Sequence, residues 1–205
     1  MTLAFDGAVL AGGASRRMGS DKALVDAPGG RPLVVVGVEA LRAAGAFEVV
    51  VVGGDGPALQ ALGLPWVPDH FPGEGPLGGI VTALHATRAD LVVVMACDMP
   101  GVGPEVPAEL VRALAAAPGA GVAVAVVGDR EQPLTACWRR SVALEVLTSA
   151  YDAGERAPRF VLAALNLVRV DGLPPAQLVD VDWPEDLRRY AEGALHPESE
   201  EQDAP

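Results

Sequence analysis

The chain has 205 residues, a formal net charge of −12 and a sequence pI near 4.6, with half of its residues apolar and only 4% aromatic. That is enough for one medium domain with a core filled mainly by valine and alanine. The acidity excludes an extended nucleic-acid-binding face, which needs a basic surface against phosphates. Cys97 and Cys137 lack the spacing of a zinc site or a disulfide framework and are expected as small buried residues. The beginning of the chain carries no basic leader, and no apolar run approaches the ~20 residues that cross a bilayer, so a cytoplasmic protein without membrane contact is expected.

In chain order, residues 8–10 form a short apolar run that predicts a strand, and it stops at Gly12 and Gly13. Arg16, Arg17 and Lys22 follow, with a helix-compatible stretch expected after Gly19. Lys22 is the only lysine among the 15 Lys and Arg residues. An ammonium is a compact point charge that reaches between phosphate oxygens where a planar guanidinium does not fit. Glycines free backbone N–H groups to turn toward an anion. Together they point to a polyphosphate ligand, against the alternative of a plain glycine turn with a solvated charge cluster. The pattern is neither a P-loop, because Lys22 follows Asp21 and precedes Ala23, nor a dinucleotide fingerprint.

A helix is predicted over 32–45, then a valine strand over 48–52 that ends at Gly53, Gly54 and Asp55. Asp69, in Val67-Pro-Asp-His-Phe71, suits either a nucleoside contact or a local Asx turn. Gly75-Pro-Leu-Gly-Gly79 opens a helix over 76–87; its glycines, Gly78 among them, would let a backbone edge approach a ligand, or serve simple helix initiation. The run 91–95 is a buried strand followed by Cys97 and Asp98. An acid at such a strand mouth needs a partner: a divalent metal bridging to phosphates, or its own turn.

Helices over 105–117 and 141–153 and strands over 122–127 and 167–170 follow, with loops at 117–121 and 171–175. A last strand is predicted over 178–181. On it Asp180 and Asp182 would share a face, where a cation or donor-rich ligand would relieve their repulsion. Asp182-Trp-Pro-Glu185 also reads as a helix cap. His70, His85 and His196 have no Ser or Cys pairing of a nucleophile triad. The end, 193–205, carries Glu198, Glu200, Glu201 and Asp203 with almost no apolar side chains, and reads as an acidic disordered tail after a domain spanning 1–192.

Strands alternating with helices, several of them continuously apolar, predict an α/β fold: a single Rossmann-like domain with a mainly parallel central sheet and helices on both faces. In such sheets ligands sit beyond the carboxyl ends of the strands where strand order reverses, so the residues after Leu10, Val52, Met95 and Val181 are the ones to inspect.

Leu10-Ala-Gly-Gly-x-Ser-Arg-x-Met-Gly-x-Asp-Lys22, Gly75-Pro-Leu-x-Gly79, Cys97-Asp-x-Pro100, Gln132-Pro-Leu134 and Pro184-Glu-Asp-Leu187 occur in the order and spacing of the molybdenum cofactor guanylyltransferases. The chain resembles that family over roughly residues 7–190. The resemblance implies the nucleotide-diphospho-sugar transferase type of fold, and transfer of GMP from GTP to the phosphate of a molybdopterin-type cofactor with Mg²⁺, releasing pyrophosphate. It implies that Leu10, Ala11, Gly12 and Gly13 form the nucleotide loop and that Arg16 and Lys22 meet the phosphates. Gly53 and Asp69 would line the nucleoside pocket, Asp98 would hold the metal, and Gly78, Asp180 and Asp182 would lie on the acceptor side. It leaves room for partner proteins that deliver or accept the cofactor.

The chain departs from the family at Asp180-Val-Asp-Trp-Pro-Glu185, where Asn-x-Asn-Thr-Pro-Glu is frequent; ionised carboxylates cannot donate to an anionic acceptor as amides do. Two further readings therefore stand beside the first: a related transferase using CTP or another phosphorylated cofactor, and a nucleotide-binding regulator without turnover.

Overall fold

The computed structural model describes residues 3–12 and 21–194. The readings made above for Gly13, Arg16, Arg17, His196 and residues 195–205 of the tail lie outside the described residues.

The elements in chain order are β1 (Asp6–Leu10), a 3-10 turn (Lys22–Leu24), β2 (Asp26–Ala27), β3 (Arg31–Pro32), α1 (Leu33–Ala43), β4 (Val49–Val52), α2 (Gly56–Ala61) and β5 (Trp66–Val67). Then come α3 (Pro76–Ala86), β6 (Leu91–Ala96), α4 (Glu105–Ala115), β7 (Val122–Val127), β8 (Arg130–Arg139), α5 (Arg140–Asp152), β9 (Val168–Val170) and α6 (Pro184–Ala191). Seven strands form one sheet in the order β5-β4-β1-β6-β8-β7-β9, and β2 and β3 make a small separate hairpin. The pairs among β1, β4, β5 and β6 and the pair of β7 with β9 are parallel, while β8 runs antiparallel to β6 and β7.

Side chains alternate across this sheet and each face is covered, as the continuous apolar runs predict. Val9, Val51, Val93, Met95 and Cys137 pack on one side with Val34, Val38 and Leu41 of α1 and Leu110 and Leu114 of α4. Ala8, Leu10, Val52, Val92, Val94 and Trp138 face the other side, toward Leu77, Ile80 and Leu84 of α3 and Ala143 and Leu147 of α5. Cys97 and Cys137 are both buried free thiols, and burial pushes both well above the ordinary cysteine range.

Three sequence expectations change. Strand β8 has no apolar run to announce it: its first half is Arg130-Glu-Gln-Pro-Leu134, yet Leu91 to Met95 of β6 pair along Arg139 to Thr135. Pro133 is tolerated because the register with β7 jumps, Val124 facing Ala136 and Ala125 facing Gln132, which leaves the proline in a bulge where no ladder N–H is required. The helix expected after Gly19 is, among the described residues, one 3-10 turn followed by the hairpin, because Pro28-Gly-Gly30 reverses the chain at once. The strand expected over 178–181 does not form. Both neighbours of β6 are already taken by β1 and β8, so this segment instead crosses the end of the sheet, with the Val181 N–H donating to the Asp98 carbonyl at 3.0 Å.

At the opposite end of the sheet Asp6 is buried, 1% exposed, and fully engaged. Its carboxylate accepts from the N–H groups of Glu48 (3.2 Å), Arg88 (2.9 Å) and Ala89 (2.8 Å), tying the loops before β4 and β6 to β1. Removing a buried acceptor strands its donors without water. Asp6→Ala is expected to destabilise the fold by about 3 kcal/mol in denaturant unfolding.

Candidate active site

The strand order reverses around β1: the chain leaves β1 for β4 and β5 on one side, then returns to β6 on the other. The carboxyl ends of these strands are flush, since Leu10 pairs with both Val52 and Ala96. Ala11 N–H continues the ladder to Val52 O at 2.9 Å, Cys97 N–H to Leu10 O at 3.2 Å and Gly53 N–H to Val67 O at 3.0 Å. Four chain segments therefore end side by side at the switch point, where ligands of open α/β sheets bind.

On the β4 side, Gly53 and Gly54 adopt φ of +74° and +73°, a left-handed turn that disfavours any side chain. A Cβ at Gly53 would also stand 3.1 Å from the Gly12 Cα. A Cβ at Gly12, by contrast, would meet nothing nearer than 3.7 Å among the described residues, so their packing does not demand its glycine. Asp69 closes this corner. Its Oδ1 accepts from Phe71 N–H (3.1 Å), the Asx turn anticipated from sequence, and lies 2.9 Å from the Thr82 hydroxyl, while Oδ2 points toward Gly12, 3.9 Å from where a Cβ would sit. The indole of Trp66 donates to the Gly53 carbonyl at 2.8 Å.

On the β6 side, Lys22 reaches Asp98 Oδ2 at 3.0 Å and Asp182 Oδ1 at 2.6 Å. The lysine side chain is only 12% exposed, against 23% for Asp98 and 47% for Asp182. Burial by itself lowers the Lys22 pKa, but the Asp98 charge and the hydrogen bonds to Asp182 and Asp98 outweigh it and hold the ammonium above its ordinary value. Lys22 is thus a permanent cation at physiological pH, unsuited to general-base work. Cys97 beside it is neutral, its thiol driven up by burial and then by the Asp98 charge, so it is no nucleophile.

Asp21 precedes this lysine and bonds two segments: Oδ1 accepts from Ala23 N–H at 3.1 Å, and Oδ2 from Asp55 N–H at 3.0 Å. The segment carrying Asp182 is laced onto the loop carrying Asp98, because Gln177 Oε1 accepts from Gly103 N–H at 3.0 Å and Gly101 has no room for a Cβ against Tyr190 and the Ala176 carbonyl.

The structure thus brings together Leu10, Ala11, Gly12, Gly53 and Asp69 at one corner and Lys22, Asp98 and Asp182 at the other. It treats the remaining predicted residues differently. Gly78 is buried, and a Cβ there would strike Phe71 at 2.8 Å and the Tyr151 ring at 3.2 Å, so its glycine serves close packing of α3 rather than access. Asp180 lies exposed in the crossing segment, not on a strand shared with Asp182. Nor does Asp182 cap α6: the cap residue is Trp183, and it is Asp186 whose Oδ2 accepts from the N–H groups of Asp182 (2.9 Å) and Trp183 (2.7 Å). The Asp182 carboxylate meets Lys22 instead. Asp21 and Trp66 were not singled out in the sequence; the Asp-Lys ending of the first motif was the available signal for Asp21, and Trp66 had none.

No cluster of three or more His, Cys, Asp or Glu side chains suited to a metal occurs among the described residues. Two carboxylates converging on one positive charge nevertheless suit Mg²⁺, which takes one or two protein carboxylates and completes its shell with phosphate oxygens and water.

Sheet order and site together define an α/β protein with a ligand site at the switch point of its sheet, where a lysine and two carboxylates converge. The family model for the MobA-like NTP transferase domain matches residues 7–169. A molybdenum cofactor guanylyltransferase of Shewanella sp. (strain MR-4) is 32% identical over 194 residues, covering 93% of this chain and 97% of the relative. The structure of molybdopterin-guanine dinucleotide biosynthesis protein A from Archaeoglobus fulgidus superposes with a TM-score of 0.74 at 29% identity, over 91% of this chain and 97% of that one. The fold alone is shared with 2-C-methyl-D-erythritol 4-phosphate cytidylyltransferase from Thermus thermophilus, with a TM-score of 0.67 at 21% identity over 95% and 99% of the two chains. The chain belongs to the MobA-like NTP transferase family and, within it, to the molybdenum cofactor guanylyltransferases. No helix among the described residues is long and apolar enough to cross a membrane.

The raised Lys22 pKa has a definite pH signature. Stability gained from a group whose folded pKa lies above its unfolded value is fully present below that unfolded value, 10.5, and is lost as pH rises through the folded value. The difference in melting temperature between wild type and Lys22→Met is expected to stay constant from pH 7 to about 10 and to shrink only beyond 10.5, as read by thermal scans across alkaline buffers.

Proposed function

We propose that the protein transfers GMP from GTP to the terminal phosphate of a molybdopterin-type cofactor, releasing pyrophosphate, with Mg²⁺ held by Asp98 and Asp182. The observation that carries this reading is the convergence of Lys22, Asp98 and Asp182 at the switch point that also leaves the backbone of Gly12 exposed. The names of the relatives supply the base and the acceptor.

In this reading Ala11 and Gly12 offer backbone to the nucleotide, and Gly53 and Asp69 form the wall of the nucleoside pocket. Gly13 and Arg16 join the phosphate side on sequence grounds. The acceptor's phosphate oxygen attacks the α-phosphorus in line, the bond from that phosphorus to the bridging oxygen breaks, and pyrophosphate leaves with the electron pair. A bound Mg²⁺ supplies Lewis-acid neutralisation of the phosphoryl oxygens. Lys22 provides a second positive charge: its flexible stem lets the ammonium exchange carboxylate oxygens for those of the phosphates, where charge accumulates on the leaving group. Asp98 and Asp182 hold the cations. Positioning plus electrostatics accounts for the rate, and no protein nucleophile takes part.

The test is pyrophosphate release from GTP and from CTP, each with and without a molybdopterin-type acceptor and Mg²⁺. Release from GTP that depends on both acceptor and metal is expected; preferential use of CTP, or release without acceptor, overturns the assignment. In the same assay Lys22→Ala is expected to lower turnover about a hundredfold and Lys22→Arg about tenfold, the latter because a guanidinium cannot occupy a point-charge position.

A further inference from the structure

We propose that Asp21 is a positioning residue that locks the phosphate side of the site to its nucleoside side. The inference rests on the nucleotide reading above and concerns a residue that touches neither metal nor substrate in it. Each Asp21 carboxylate oxygen binds a different piece of backbone. Oδ1 takes the Ala23 N–H at 3.1 Å and so shapes the turn that presents Lys22. Oδ2 takes the Asp55 N–H at 3.0 Å, 34 residues further along the chain, in the left-handed turn whose Gly53 packs on Gly12 and Asp69.

That turn is held from its other end too. Trp66 donates to the Gly53 carbonyl at 2.8 Å, and Asp55 caps α2 by accepting from Ala58 N–H at 3.1 Å. The β4–α2 turn is thus rigid in itself, and Asp21 ties it to the lysine-bearing segment. A carboxylate is what this double role requires. Asparagine has one acceptor oxygen, so with asparagine either the Lys22 turn or the link to Asp55 loses its bond and an NH₂ faces an N–H donor.

The consequence is selective. A whole nucleoside triphosphate spans both corners and depends on their spacing, whereas a bare polyphosphate needs the Lys22 corner alone. Simple electrostatics predicts the opposite sign: removing a negative charge next to Lys22 would tighten every anionic ligand.

The experiment compares wild type with Asp21→Asn and Asp21→Ala in the full chain, measuring GTP affinity, competitive inhibition by inorganic tripolyphosphate, and melting temperature. Asp21→Asn is expected to weaken GTP about tenfold, the loss of one hydrogen bond to a charged group, and to leave tripolyphosphate within about twofold. Asp21→Ala is expected to weaken GTP at least as much; should it fail to fold, the near-isosteric asparagine variant decides. Unchanged GTP affinity in Asp21→Asn overturns the proposal, as does a loss for tripolyphosphate equal to that for GTP, which would confine Asp21 to the Lys22 turn. Wild-type protein that binds tripolyphosphate but not GTP overturns the nucleotide reading itself, separately from the role of Asp21.

Discussion

Everything at the active end of this molecule depends on one ammonium held between two carboxylates. Lys22, Asp98 and Asp182 lie 76 and 160 residues apart along the chain, and they meet at 3.0 and 2.6 Å. Two acids this close, one of them largely buried, repel each other unless a cation stands between them. The lysine supplies that charge, so the segment before β2, the mouth of β6 and the stretch before α6 are coupled electrostatically as well as through backbone. The same geometry that stabilises these segments gathers one cation and two carboxylates at the carboxyl end of the sheet.

The sheet makes that meeting possible. Because Leu10, Val52 and Ala96 end in register, their continuations emerge at one level, and the glycine turn after β4 and the acid after β6 flank Ala11 and Gly12. The third contributor is not a strand. It reaches the site because the Val181 N–H bonds the Asp98 carbonyl, Gln177 grips Gly103, and Gly101 admits close contact with the α6 side of the molecule. Asp186, by taking over the cap of α6, leaves Asp182 to pair with Lys22. At the far end Asp6 gathers three amide donors, so the active end and the structural end of the sheet are each organised by a carboxylate with its partners supplied.

Much of this was legible in the sequence because its cause is local. Short valine runs that alternate along the chain with helix-length amphipathic stretches read as strands buried on both faces, and the positions after them follow from topology. What was not legible depends on neighbours distant in sequence. The first half of β8 carries charged residues and a proline and becomes a strand because it pairs back along β7, Arg130 to Gln132 facing Val127 to Ala125. Residues 178–181 look like a strand but find no open edge beside β6. Gly78 reads like a ligand-facing glycine, while the Cβ of Phe71, whose ring lies 4.2 Å from that of Tyr151, is what excludes a side chain there. Asp182 was visible as an acid, and its pairing with Lys22 was not, since no local pattern specifies a contact across 160 residues.

The lone lysine gains a physical explanation from this geometry. In a chain that uses arginine at its other basic positions, position 22 must satisfy two carboxylate oxygens that converge on one atom from different segments, inside a pocket that leaves the side chain 12% exposed. A guanidinium spreads its charge over a planar fork and pairs best with a carboxylate that presents both oxygens in that plane. Asp98 and Asp182 each present one oxygen to a single nitrogen, an arrangement suited to three donors on a tetrahedral centre. Arginine elsewhere in the chain meets the other requirement: Arg139 uses its fork to reach the Ala120 and Leu114 carbonyls at 2.9 Å each, fixing the end of α4. The choice between the two cations follows the shape of what each must hold.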